Sequence, residues 1–271
     1  VPDSVTQIGK DAFSSYTDLI VTVGHDSYAK QYAVDNNIDS CVIIPDGVTE
    51  IESCAFERFS SLRSITIPDS VTKIGREAFS DCTGLSSIII PGSVTEIGKG
   101  VFSWCTALRD ITIPNSVTRI GDGAFTHCTS LTNVVISDSV TMIGRKVFSW
   151  CPRLVSIVIP NRVTRISSEA FSGCIGLTGI TLPDGVTKIG DKAFFGCIGL
   201  TNITIPDSVT EIGSGAFVDC KSLKRITIPN SVNAIGDDVF EGCNNLILTV
   251  EHGSYAEQYA VDNNINYVYT D

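Results

Sequence analysis

Very little in this chain can carry acid–base or covalent chemistry. There are three histidines and one methionine in 271 residues, and no H-E-x-x-H, P-loop, G-x-S-x-G or G-x-G-x-x-G after a strand occurs. Two of the histidines, His25 and His252, sit two residues before a serine in matching segments and read as turn residues. No catalytic group, cofactor or metal is therefore expected, and the chain does not read as an enzyme. Positive charge is also scarce, with 19 Lys and Arg against 30 Asp and Glu and a net charge of −11. Nucleic-acid binders need clustered Lys and Arg, so that partner class is excluded; an acidic surface serves solubility. No apolar run reaches the ~18 residues that a spanning helix needs, which excludes membrane insertion by such a helix.

What is present is a repeat. Leu85 to Cys105, LSSIIIPGSVTEIGKGVFSWC, has the pattern L-x-x-I-x-I-P-x-x-V-x-x-I-G-x-x-(A/V)-F-x-x-C and recurs every 23 residues. Its prolines are Pro45, Pro68, Pro91, Pro114, Pro160, Pro183, Pro206 and Pro229, with Ser137 in the one missing place. A fixed period of this size marks stacked repeats. One elongated solenoid spanning 1–271 is expected, in which each coil touches only its neighbours. The apolar content of 43% supplies a continuous core.

Within a coil, Leu85, Ile88 and Ile90 alternate as the inward face of a strand does. Pro91 ends the strand because it has no N–H for the ladder, and Pro-Asp/Asn-Ser/Gly supplies turn chemistry. Val94 and Ile97 form a second short extended piece, and Gly98 allows a bend that a Cβ would resist. Gly-x-x-Ala-Phe-x-x-Cys then makes a tight turn, helical or 3₁₀, that drops Phe102 and Cys105 into the core. The departures are few: Glu52 and Ser167 replace the Gly, and Phe59 the Cys.

Eight of ten cysteines, Cys82, Cys105, Cys128, Cys151, Cys174, Cys197, Cys220 and Cys243, share one repeat position. Copies on neighbouring strands lie ~4.8 Å apart, whereas bridged Cβ atoms approach to ~3.8 Å. They read as a stack of buried thiols acting as small hydrophobes; Cys41 and Cys54 lie off the column. The Asp column at Asp46, Asp69, Asp138, Asp184 and Asp207 caps turns and lacks the spacing of calcium-binding repeats.

The two ends match each other. LIVTVGHDSYAKQYAVDNNID near the start returns as LILTVEHGSYAEQYAVDNNIN at Leu246–Asn266. Ser27 and Ser254 are placed as N-caps, Tyr28, Ala29, Tyr32 and Ala33 share one helical face, and Asn36-Asn37 can end the helix. A partial coil plus a helical coil is expected over 1–44, nine regular coils over 45–250, and a helical cap over 251–271. A helical coil inside the stack as well as at its end suggests a larger cassette, so the chain is expected to be a monomeric piece of a longer array.

The motif L-x-x-I-x-I-P-(D/N)-S-V-T-x-I-G-x-x-A-F-x-x-C resembles the 23-residue leucine-rich repeat of the BspA-like family, and SYAEQYAVDNNI resembles the helix that ends such arrays. The resemblance implies an α/β repeat solenoid with a parallel sheet along one face. It also implies a secreted or cell-surface setting and adhesion to host-matrix or neighbouring-cell proteins or to glycans. An intracellular interaction scaffold or a structural spacer is the alternative.

Two surfaces are candidates for binding. One is the outward strand column Thr66, Ile89, Thr112, Val135, Val158, Thr181, Thr204 and Thr227, small or β-branched and without charge. The other is the position before the Cys column, where Trp104, His127 and Trp150 follow in three consecutive coils. Elsewhere that position is small or charged, so it should face solvent, and exposed Trp is enriched in binding hot spots.

Overall fold

A computed structural model describes residues 21–22, 40–44 and 46–270. The expected N-terminal helix with its Ser27 cap, His25 and most of the first partial coil lie outside the described residues.

Each regular coil has three sides, along which backbone ladders run from coil to coil. The first side carries the longer strands, among them Leu62–Thr66, Asp110–Ile113, Asn133–Ile136, Gly179–Thr181, Asn202–Thr204, Arg225–Thr227 and Ile247–Val250. All pairing is parallel, and between regular coils it keeps 23-residue register, for example Ile111↔Val134 and Ile180↔Ile203. Leu, Ile and Ile of the repeat point inward and are buried, and the Pro ends the strand as its missing N–H requires. The expected single sheet is interrupted, however: no strand forms around Ile88–Ile90, and Val158 makes only one isolated bridge, to Thr181.

The second side holds two-residue strands, Glu50–Ile51, Lys73–Ile74, Glu96–Ile97, Arg119–Ile120 and Met142–Ile143 in one sheet. Arg165–Ile166, Lys188–Ile189, Glu211–Ile212 and Ala234–Ile235 form another. Their outward positions pair opposite charges across coils, Lys73 with Glu50 at 2.6 Å and Lys188 with Glu211. These pairs are solvent-exposed and contribute little to stability.

The third side departs from expectation. Gly-x-x-Ala-Phe-x-x-Cys is neither α nor 3₁₀ but a run of turns with two left-handed residues, such as Glu77 (φ 56°) and Asp81 (φ 59°), repeated at Gly100 and Trp104 and in each regular coil from Cys54 and Arg58 to Asp238 and Gly242. The left-handed residues break the helical path and turn the N–H groups along the stack. Glu77, Phe79 and Asp81 donate to the carbonyls of Lys99, Val101 and Ser103 in the next coil at 2.7–2.9 Å. This third ladder holds the buried Phe column, stacked from Phe56 to Phe240 with ring centroids 5.3–5.7 Å apart. The eight thiols beside it are buried, and each Sγ donates to a Phe carbonyl, as Cys105 does to Phe79 at 3.1 Å. Burial pushes the thiols from Cys105 to Cys243 up, Cys174 to about 12.

The corner glycines set the spacing. A Cβ on Gly75, Gly121, Gly144, Gly190, Gly213 or Gly236 would fall 2.4–2.6 Å or 2.7 Å from the preceding coil. Only glycine lets the backbones approach so closely.

At the C-terminus a helix, Tyr255–Asp262, replaces the second and third sides. Ser254 caps it by accepting from the Glu257 N–H at 3.1 Å, and Asn264 follows its end in the left-handed region. Ala256, Tyr259 and Ala260 cover the last coil, where the Tyr259 ring meets Phe240 edge-on and its hydroxyl accepts from Val239 N–H. The strand Asn266–Tyr269 then pairs with Ile247–Val250.

Two outcomes are expected from this core. Phe125→Ala, between Phe102 at 5.4 Å and Phe148 at 5.5 Å, should lower stability by ~3–5 kcal/mol in chemical denaturation. A shift below ~1 kcal/mol would remove Phe125 from the core. The eight column thiols should resist an aromatic disulfide reagent at pH 8 in the folded protein and react on unfolding; rapid reaction of the folded column would contradict their burial.

Candidate functional site

The residue before the column cysteine is the second left-handed residue of each turn. Trp104 (φ 63°), His127 (φ 59°) and Trp150 (φ 59°) occupy it in consecutive coils. The left-handed backbone keeps these side chains outside the core while Phe and Cys on either side point in. Trp104 and Trp150 remain 48% and 50% exposed, and His127 is half-buried.

Side chains in this column lean toward the C-terminal end. Trp104 lies on His127 with ring centroids 3.8 Å apart and planes within 10°, and His127 faces Trp150 at 6.0 Å and 18°. Trp150 in turn covers Gly173, where an added Cβ would meet indole Cδ2 at 2.9 Å. Asp219 bends over Gly242 in the same sense. Gly196, in between, has nothing closer than the Gly173 backbone at 3.9 Å. The row is thus a three-ring stack followed by a bare notch, with exposed Ile198 and half-buried Phe195 beside it. Burial lowers the pKa of His127, and its Nδ1 lies 3.4 Å from the Thr126 hydroxyl.

The strand column forms a separate surface. Thr66, Ile89, Thr112, Val135, Val158, Thr181, Thr204 and Thr227 are all exposed, with Ile89 and Val158 at 83% and 80%. Register brings Thr112 beside Val135 and Thr181 beside Thr204. The passage from one coil to the next joins the two surfaces: Trp150 is followed by Pro152, Val155 and Val158, and of these the Trp and both valines are exposed. Ile175 and Ile198, one position after the column cysteine, extend the apolar area. Sequence reasoning passed over Pro152, Val155, Ile175 and Ile198. In the regular coils their columns otherwise hold polar or charged residues such as Thr, Ser, Arg and Lys, and that contrast was the available signal.

His127 is held between indoles, and among the described residues no three His, Cys, Asp or Glu side chains are grouped to hold a metal ion. No helix among them is long and apolar enough to cross a membrane.

Comparison with known proteins matches this architecture. The family model for the BspA type leucine rich repeat region matches residues 28–155 and 141–266. A solved leucine-rich repeat protein from Bacteroides ovatus is 34% identical over 78% of this chain, with a TM-score of 0.64; the chain spans 63% of that protein's length. One from Eubacterium ventriosum is 26% identical over 86% of this chain and 73% of its own, with a TM-score of 0.51. A leucine-rich cell-surface protein from Faecalibacterium prausnitzii is 32% identical over 85% of this chain and 79% of its own, with a TM-score of 0.45. Among curated proteins nothing matches. The matched repeats cover most of the chain, and it belongs to the BspA-type leucine-rich repeat family.

Proposed function

We propose that this chain is a surface-displayed or secreted adhesion module that binds an extracellular, matrix-type protein. Membership of a family of repeat scaffolds that serve protein interaction on bacterial surfaces supports the setting. The observation that carries the reading is the stack of Trp104, His127 and Trp150, with both indoles half exposed. Large rings held rigidly in place lose little side-chain entropy on contact and are favoured in hot spots. His127 and Gly173 each take up part of an indole, so the row offers ring edges and an apolar margin more than free faces. That favours protein side chains over stacked sugars. The uncharged strand column supplies a second, weaker contact, and a longer array would add avidity.

The test is a binding screen of the chain against matrix proteins and mucin, with a glycan array alongside. Trp104→Ala with Trp150→Ala should weaken a protein hit by about 30-fold or more, as loss of a hot spot does, while the melting temperature changes little. A hit that survives the double substitution moves the site to the strand column, where Ile89→Lys and Val158→Lys should abolish it. A glycan hit lost with the two Trp would replace protein by carbohydrate as the ligand class.

A further inference from the structure

Both sheets stop at the same place. Among the described residues, the contact between the coil 131–151 and the coil 154–174 is the one at which neither the first-side nor the second-side strands pair. Asn133–Ile136 has no partner in the next coil, and Met142–Ile143 ends one second-side sheet while Arg165–Ile166 begins another. Backbone ties that recur at other contacts are missing with them. Thr72, Thr95, Thr118, Thr141, Thr187 and Thr210 each donate a backbone N–H to the residue one coil earlier, and Thr164 is absent from that series.

The sequence supplies a cause. Ser167 stands where the coils need glycine. A Cβ at the equivalent Gly144 or Gly190 would lie 2.6 Å from the backbone N–H of the preceding coil, a distance that real Cβ atoms do not adopt. The Ser167 Cβ must hold its coil off the backbone of Gly144, and its hydroxyl spans the gap by donating to Ile143 O at 2.6 Å. Arg162 removes a second tie. Ser93, Ser139, Ser208 and Ser231 at that position donate to a Val carbonyl in the preceding coil at 2.5–2.7 Å, which arginine does not reproduce. The packing reports the same opening. Ile136 is only half-buried although Ile67, Ile90, Ile113, Ile159 and Ile205 are buried, and Phe148–Phe171 has the widest separation, 5.7 Å, and largest tilt, 16°, of the buried stack. Beside the gap lies an open cavity of about 470 Å³ lined by Asn115, Ser137, Asp138, Ser139 and Arg162.

The third side stays closed. Lys146, Phe148 and Trp150 donate to Ser168, Ala170 and Ser172 at 2.7–3.1 Å, Cys174 Sγ donates to Phe148 O, and Lys146 pairs with Glu169 at 3.3 Å. We propose that this contact is a built-in joint: the solenoid flexes here, opening on its two sheet sides about the intact third ladder. Trp150, laid across to Gly173, straddles the closed side, and Val135 and Val158 flank the opening. Flexing would therefore change the spacing of both candidate binding surfaces.

Hydrogen exchange by mass spectrometry on the intact 271-residue chain tests this. Amides in 155–166 should exchange about tenfold faster than their copies in 178–189, the effect of losing roughly one hydrogen bond of ordinary net strength. Ser167→Gly combined with Arg162→Ser should slow 155–166 toward its copies. In urea, the wild-type chain should unfold in two steps that merge in the double variant, because a weak contact splits a repeat array into separate cooperative units. Equal exchange of the two segments in the wild type would overturn the joint. Faster exchange unaltered by the double variant would overturn the cause assigned to Ser167 and Arg162; should that variant fold poorly, Arg162→Ser alone serves.

Discussion

Successive coils meet backbone to backbone at one corner, and everything else in the solenoid is set by how closely they do so. The glycine column at Gly75, Gly121, Gly144, Gly190, Gly213 and Gly236 leaves no room for a Cβ against the coil before. With the corner fixed, a 23-residue loop has one way to lie on its copy, so each side chain faces the same residue type above and below. The Phe column stacks and each thiol reaches the same carbonyl for this reason. Left-handed turn residues complete the constraint by aiming N–H groups along the stack instead of around a helix.

The period made most of this legible. Spacing located both strands, the turn proline, the buried columns and the C-terminal helix with its Ser254 cap, because a column of like residues has a single environment. The third side was not legible in the same way. Gly-x-x-Ala-Phe-x-x-Cys suits a helical turn by local pattern. Its true conformation depends on two left-handed positions filled by Glu, Asp, Lys, Trp and His more often than by Gly, and none of these announces φ > 0. What holds them there is the ladder to the next coil, a nonlocal interaction. The continuous sheet expected on the first side fails for a related reason. Ile88–Ile90 and the segment around Val158 have strand residues in strand places, but pairing needs the neighbouring coil at the right distance.

The candidate site was partly legible. Trp104, His127 and Trp150 stood out as large residues in a column of small and charged ones, and the structure places them in contact. Their mutual stacking was not readable, since it depends on the C-terminal lean shared by Asp219 over Gly242. The continuation of the apolar area through Pro152, Val155, Ile175 and Ile198 emerges only when several columns are laid around one coil. An uncharged exposed column of Thr, Val and Ile is equally what strand propensity selects, so the strand face carries less of the functional argument than the rings do.

In a repeat that leaves its core so little freedom, information specific to this chain lies where a column changes. Such changes divide by what the new side chain touches. Trp at an exposed position alters the surface and leaves the stack intact, because Phe and Cys beside it still meet their copies. Ser at the glycine corner alters the stack itself, because its Cβ has nowhere to go except into the gap between coils. Arg162 for Ser falls at the same contact as Ser167, so two departures coincide at the one described contact where neither sheet side pairs. The coil that carries Trp150 is the last before that interface and the coil that carries Val158 the first after it. The exposed ring stack and the described contact at which both sheet sides break therefore adjoin, so a change at that contact would change the spacing between Trp150 and Val158.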